Sequence, residues 1–269
     1  MTRFPFLRNL FVLLSFFLFF PGVFSQLLYG QEQTQIRVLA YNIHHANPPS
    51  LPDSIDLPAI ARVIRESGAD LVALQEVDVR TSRSGKSIHQ AEALAELTGM
   101  YFYFSRSISF QGGEYGNAIL SRYPIENSEK IALSTQEGTE PRALLLATVA
   151  LPTGQKVLFA ATHLDFSNPE ITARQARNIT EQLRNQPMPV ILAGDFNATP
   201  GSKAISELDR YFQRTCVENC PPTIPVINPE KTIDFIFYSR NKYIEVVHHE
   251  VIPETYASDH LPVAATLVW

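Results

Sequence analysis

Apolar positions along this chain follow two periods, and the shorter one carries the chemistry. Five nearly continuous apolar runs each carry a carboxylate, amide or imidazole, four of them at the end: VLAYN (Val38–Asn42), LVALQE (Leu71–Glu76), LFAATH (Leu158–His163) and VILAGDFN (Val190–Asn197), and the fifth, TIDFIF (Thr232–Phe237), near its start. A polar break, Ser258–His260, precedes a last apolar run. Short apolar runs bounded by turn residues read as buried strands. Strands that repeatedly deliver hydrogen-bonding and titratable groups to their ends predict one polar site at the edge of a β core, and hence an enzyme.

The longer period predicts helices. Asp56 caps one that takes Pro58 in its first turn, shows a stripe of Ile60, Val63 and Ile64, and stops at Gly68. A second covers roughly Ile88–Leu97 and ends at Gly99, and a third runs from about Glu170 to Asn185, ended by Pro187 and Pro189. Ser202–Leu208 reads as a short fourth helix, and 211–230 as a Pro-rich loop. Further strands are expected at Ile36–Tyr41, Tyr101–Phe104, Ala118–Leu120, Arg142–Ala150 with its hairpin partner Val157–Ala161, Ile233–Tyr238 and Leu261–Val268. Eight or more strands, some joined by hairpins and some by helices, imply an α/β fold with a mixed sheet core and helices outside. GGEYGN at 112–117 lacks the strand-then-helix setting of a phosphate loop.

The N-terminus changes the picture of where this chemistry is used. Arg3 and Arg8 precede an apolar stretch from Leu10 to Phe20, then Pro21, Gly22 and Ser25, which is the layout of a signal peptide. The stretch is short for a membrane span; the competing reading is an uncleaved anchor. Residues 1–25 are therefore expected to be a leader, 26–269 one catalytic domain without a transmembrane span, and the protein exported to a periplasm or the extracellular space. No cysteine sits at the cleavage region, so no lipid anchor is indicated. Cys216 and Cys220, four apart, can close a small disulfide loop in such a compartment or stay as two thiols.

The formal charge of −5 becomes −7 when Arg3 and Arg8 leave with the leader. The longest basic cluster, Arg80, Arg83 and Lys86, is modest. Sequence-independent binding of nucleic acid needs clustered cations, so a small phosphate ester suits this chain better than a large nucleic acid. A monomer is expected.

Asn42 and Glu76 offer hard oxygen ligands from strand ends, which suits Mg²⁺ or Mn²⁺. No HxxxH or HxH pair supports zinc. Asp195 and Asn197, in GDFN, fall on one face of an extended segment, although an Asx turn before Pro200 is the structural alternative. Asp234 lies inside an apolar run, where a charge is costly unless paired. A histidine is its natural partner, and Asp234 behind His260 makes an orienting carboxylate and base. No Ser or Cys stands in a nucleophile-elbow setting. Water is then the nucleophile, and a hard metal beside a histidine suits phosphoester hydrolysis.

The ordered pieces AYNIHH, LQEVD, GNAILSRYPI, ATHLD, GDFNATP, TIDFIF and SDHLPV resemble the endonuclease/exonuclease/phosphatase superfamily over roughly 36–269, and in particular a secreted bacterial branch. The resemblance implies a four-layer α/β sandwich with two central mixed β-sheets (DNase I-like). It implies metal binding by Asn42 and Glu76, with Asp259 helping directly or through water. Asp195 would orient the attacking water or assist the leaving oxygen, and Asn197 would contact phosphate. His163 would bind a phosphoryl oxygen and His260 act as the second catalytic histidine, oriented by Asp234. Arg83, His89 and Gln90 would line the cleft after the Glu76 strand, Glu114, Tyr115 and Asn117 would come from the glycine-rich loop, with Asn117 a substrate contact, and Arg142 and Arg174 are further candidates for phosphate contact, each with a surface salt bridge as the structural alternative. The expected activity is that of an exported Mg²⁺-dependent phosphoesterase acting on a small or lipid-derived ester. The alternatives are a secreted nuclease and a non-catalytic binding protein.

Overall fold

A computed structural model describes residues 1–2, 33–240 and 243–269; the expected signal peptide falls outside the described residues, apart from its first two. Among the described residues twelve strands form two six-stranded sheets. The first contains β1 (Gln35–Asn42), β2 (Leu71–Val79), β3 (Tyr101–Phe110), β4 (Gly113–Ser121), β11 (Glu245–Val251) and β12 (Val263–Val268), in the order β11-β12-β1-β2-β4-β3. The second contains β5 (Ile125–Ala132), β6 (Ala143–Ala150), β7 (Lys156–His163), β8 (Val190–Asp195), β9 (Phe212–Arg214) and β10 (Asp234–Ser239), in the order β5-β6-β7-β8-β10-β9. Both sheets are mixed: β1 and β2 run parallel, as do β7 and β8, while the remaining pairs are antiparallel.

Side-chain alternation sorts each strand's residues into two layers. Ile36, Val38 and Ala40 of β1 meet Phe159 and Ala161 of β7, Ile191 and Ala193 of β8, and Ile236 of β10 in the core between the sheets. The other face of the first sheet, with Leu39, Tyr41, Val72 and Leu74, packs under α1 (Leu57–Ser67) and α2 (Gln90–Thr98). The outer face of the second, with Leu144, Leu158 and Leu192, packs under α3 (Pro169–Leu183) and α4 (Lys203–Asp209). The result is the four-layer α/β sandwich implied by the resemblance.

The helix ends follow local chemistry. Asp56 accepts from Ala59 N–H at 2.9 Å and Gly68 ends α1 in the left-handed region. Three elements escaped the apolar pattern. β5 is an exposed, polar edge strand; β11 is another mostly exposed edge; and β9 is a three-residue strand inside the segment expected to be loop, paired to β10. Edge strands need bury neither face, so their sequences carry no apolar run. Cys216 and Cys220 are joined in a disulfide.

Candidate active site

The site is the inner-face series of the sandwich carried one step past the core. In β1 the series Ile36, Val38, Ala40 continues to Asn42; in β7 Phe159 and Ala161 lead to His163; in β8 Ile191 and Ala193 lead to Asp195; in β10 Tyr238 and Ile236 lead to Asp234. Register then sets neighbours. His163 stands opposite Asp195 across the parallel β7–β8 pair, and Asp195 opposite Asp234 across the antiparallel β8–β10 pair. Apolar side chains end and polar ones begin at the same level on adjacent strands, so all of them converge on one end of the inter-sheet space.

Glu76 reaches the site by a different device. The β2–β4 pairing slips between Leu74 and Val77, and Glu76 sits at φ 58°. Such a bulge sends successive side chains to one face, so Gln75 and Glu76 both leave the strand on the inner side while Val77 returns to the outer core. Asn117 of β4 lies opposite this bulge, on the face of Ile119. Gly194 is required just before Asp195: a Cβ there would lie 2.0 Å from the Thr162 carbonyl oxygen.

Hydrogen bonds tie the pieces together. The Asn42 amide donates to Asp195 at 3.1 Å and to Glu76 at 3.2 Å, while its oxygen accepts from His44 N–H at 3.1 Å. His163 Nε2 is 3.4 Å and His260 Nε2 3.8 Å from Asp195 Oδ2. His260 Nδ1 meets Asp234 Oδ2 at 2.9 Å, the pair expected from the cost of burying Asp234 alone. Thr223 donates to the same oxygen at 2.6 Å, and Ser258 donates to the Asn42 carbonyl at 2.7 Å. The sequence marks Ser258 only as the start of a polar break and does not mark Thr223 at all, because nothing in a lone hydroxyl announces its partner. Asp259 is half-buried beside them, and its charge acts on His260.

The electrostatics follow from burial and neighbours. Burial alone would lower the pKa of His260, but the charge and hydrogen bond of Asp234, helped by Asp195 and Asp259, push it up to about 10. Burial, then the neighbouring Asp234, raises Asp195 to about 7 against the opposing effects of His260, the Asn197 N–H and the Asn42 amide. Burial, then Arg142 and His260, hold His163 well below its ordinary value. At neutral pH the site therefore contains one imidazolium, one neutral imidazole and a carboxylate poised to exchange a proton.

Asp195, Asp234 and His260 bring ligand-type atoms within 4.8 Å of one another, all three buried, and this group could hold a metal ion. The donor set fits a hard cation on its oxygen side. Asp234 is balanced by His260, but the hydrogen bond described for Glu76 is the one from the Asn42 amide, which carries no charge, and Asp234 Oδ1 has no partner. In this arrangement Asn42 turns its donor, not its oxygen, toward the carboxylates.

Other expected residues are placed as follows. Asn197 is not an extended same-face neighbour of Asp195. It sits at φ 46°, its N–H donates to Asp195 Oδ1 at 2.9 Å, and its amide donates to the Leu164 carbonyl at 3.0 Å. The Asx turn and the site coexist, because the turn is what carries Asn197 back over the strand end. Asp165, two residues after His163, closes the turn before α3 by accepting from the Ser167 and Asn168 N–H groups, and Asn168 caps the helix. His89 caps α2 and packs edge-on against Phe102 and Phe104, and Gln90 braces the Asp78 N–H and the His45 carbonyl. Both have structural work where cleft lining was expected. Arg174 is on α3, bonded to Gln136, and no described contact joins it to the cluster. Arg142 is buried in a salt bridge with Glu140 at 3.1 Å, and Arg83 grips Asp78 at 2.7 and 2.9 Å.

This fold, with a buried acid and imidazole cluster at the end of the inter-sheet space, is that of a metal-dependent hydrolase. A model of the Endonuclease/Exonuclease/phosphatase family matches residues 39–260. YbhP of Escherichia coli (strain K12), described as an uncharacterized protein, is 29% identical over 251 residues, covering 88% of this chain and 97% of that protein. The solved structure of an endonuclease/exonuclease/phosphatase from Beutenbergia cavernae superposes with a TM-score of 0.70 at 26% identity, covering 87% of this chain and 71% of that one. A family protein from Bacteroides thetaiotaomicron shares the fold, with a TM-score of 0.73 at 20% identity over 88% and 96% of the two chains. The chain belongs to the endonuclease/exonuclease/phosphatase family.

Proposed function

We propose that this protein is an exported Mg²⁺- or Mn²⁺-dependent phosphoesterase that cleaves a small or lipid-derived phosphate ester with activated water. The observation that carries this reading is the row His163–Asp195–Asp234, in register across three strands and closed by His260. Asn42, Glu76 and Asp259 would hold the ion, with Asp195 beside them. Such an ion, when bound, offsets charge that builds on the phosphoryl oxygens and makes water more acidic. Asp195, with a pKa near neutrality, takes the proton of the attacking water. The new P–O bond forms as the bond to the leaving oxygen breaks. That oxygen takes its proton from His260, whose Nδ1 proton is retained by Asp234. The Asp195 proton then restores His260 across their 3.8 Å gap. His163, neutral, offers a hydrogen bond to a phosphoryl oxygen.

Arginine placement supports a small substrate over nucleic acid. An open basic groove would need Arg83 and Arg142 free, yet each is held by a carboxylate, Asp78 and Glu140. No helix among the described residues is long and apolar enough to cross a membrane. Export rests on the leader-like residues 1–25, and N-terminal sequencing of the expressed protein should find Gln26 first. A retained Met1 in the cytoplasmic fraction would remove that part of the proposal.

The activity is tested with a phosphoester panel and plasmid DNA under Mg²⁺, Mn²⁺ and Ca²⁺, comparing wild type with His260→Ala. Metal-dependent turnover of small esters, lost in the variant, is expected. Faster cleavage of DNA than of every small ester would favour the nuclease reading. Rates that do not distinguish the two proteins on any substrate would sink the proposal.

A further inference from the structure

The Asp234–His260 pair is assembled from two sheets. Asp234 opens β10 in the second, and His260 precedes β12 in the first, so no strand ladder sets the distance between them. The segment joining β9 to β10 spans the gap. Thr223, fully buried, is bonded to both sides: its hydroxyl donates to Asp234 Oδ2 at 2.6 Å, and its carbonyl accepts from the Leu261 N–H at 2.8 Å. The Val226 N–H donates to the Asp259 carbonyl at 3.0 Å. This strap therefore holds the residues on either side of His260 and the carboxylate that orients its ring.

The strap is itself fastened on both sides. Downstream, Thr223 and Ile224 donate their N–H groups to the Lys231 carbonyl at 2.7 and 3.1 Å, and the Thr232 hydroxyl donates to the Pro221 carbonyl at 3.1 Å. Upstream, the disulfide ties Cys220 to Cys216, and the N–H of neighbouring Thr215 is anchored on the Ile236 carbonyl of β10 at 2.9 Å. Pro221 and Pro222 link Cys220 to Thr223. Their rings fix φ and leave no N–H to bond elsewhere, so a shift of Cys220 is passed to Thr223 instead of being absorbed. A disulfide over so short a loop constrains the unfolded chain less than one over a long loop. The cysteines are half-buried, and Val217, Glu218 and Asn219 between them are exposed, so the bond is open to a reductant.

We propose that Thr223 is a positioning residue for the Asp234–His260 pair and that the Cys216–Cys220 bond makes its hold redox-sensitive: reduction by a dithiol releases the strap and lowers turnover in a protein that stays folded. In that step a thiolate of the reductant attacks one cysteine sulfur and the S–S bond breaks; the reductant's second thiol then resolves the mixed disulfide. Two electrons and two protons pass to the protein, which is left with two thiols, and the reductant departs as its own disulfide. The effect on turnover rests on the phosphoesterase reading above; the effect on the pair does not.

Two measurements test this, on oxidised wild type, wild type held in a dithiol, Cys216→Ser/Cys220→Ser, Thr223→Val and Thr223→Ser. The first is the rate at which the hydrogen-bonded His260 Nδ1 proton exchanges with water, read by NMR in EDTA and assigned by its absence from His260→Ala. Reduction, or the double serine variant, should speed that exchange roughly 10-fold or more, the scale for loss of a hydrogen bond to a charged group. The second is turnover with Mg²⁺ on the best ester of the panel. There kcat should fall roughly 10- to 100-fold, as for a small misplacement of reacting groups, with KM held within about twofold, and reoxidation should restore wild type. Thr223→Val, its disulfide intact, should move both readouts the same way, and Thr223→Ser, which keeps the hydroxyl, should recover most of each. A reduced protein that is folded by circular dichroism and keeps either readout, one that unfolds outright, or a Thr223→Ser as impaired as Thr223→Val overturns the proposal. A wild type inert toward every ester overturns the phosphoesterase reading, and proton exchange then decides the strap by itself.

Discussion

Replacing Asp234 by Asn should uncouple His260 from its proton, and the structure sets the size of the effect. Asp234 bonds His260 Nδ1 at 2.9 Å in a buried site, and that carboxylate is the main force raising the imidazole to about 10 against burial. Asn preserves shape and can still accept from Thr223, but it carries no charge. In the metal-free protein, His260 therefore titrates far lower in Asp234→Asn than in wild type. The sign of the stability effect follows from linkage. A histidine raised from its ordinary value of 6.5 to about 10 stabilises the fold fully below about 6.5, and this contribution is lost as pH rises through 10. Between pH 7 and 9 each pH unit removes about 1.4 kcal/mol, so about 3 kcal/mol over the window. The window stays above the titration of Asp195, near 7, and below the ordinary tyrosine range. Urea unfolding in EDTA at pH 7, 8 and 9 should show that decline in wild type and a much flatter line in Asp234→Asn, with a matching fall in the His260 pKa by NMR. Parallel lines for the two proteins would refute the reasoning. In the Mg²⁺-loaded enzyme the same substitution should lower kcat by about 10² to 10⁴, the span for losing a positioned proton-transfer group.

Four further outcomes are expected. Saturating Mg²⁺ should raise the Tm of wild type, by the equivalent of about 2.7 kcal/mol at a hundred times Kd, and leave Glu76→Ala nearly unmoved; an equal rise in both would remove Glu76 from the metal site. Thr223→Val removes the 2.6 Å bond to Asp234 and should cost roughly 1.5 to 3 kcal/mol by urea unfolding. Gly194→Ala drives a Cβ to 2.0 Å from the Thr162 carbonyl and should cost about 3 kcal/mol or more, read as a lowered Tm or loss of soluble protein. Reducing the Cys216–Cys220 bond, which closes only a very short loop, should lower stability by about 2 kcal/mol in unfolding curves taken with and without reductant.

The chain by itself determined a good deal. Apolar runs and caps located the buried strands and the four helices, because burial and helix ends impose periods and residue types that survive in one dimension. The cost of an unpaired carboxylate in TIDFIF was enough to pair Asp234 with a histidine, and the structure places it on His260. The exposed edges β5 and β11 were not legible, since a strand that buries neither face needs no apolar signature. Only the tertiary structure decided which polar ends meet. The alignment of Asp195 with Asp234 depends on the register of two antiparallel strands, and the aim of Glu76 on a bulge that no residue type announces. Asn197 arrives by a left-handed turn in place of strand alternation. Arginine was the least readable type: Arg83, Arg142 and Arg174 look alike in sequence, yet one braces Asp78, one lies buried against Glu140, and one bonds Gln136 on a helix surface. A long cationic side chain takes its role from whichever carboxylate the fold brings within reach, and that is a property of three-dimensional neighbours alone.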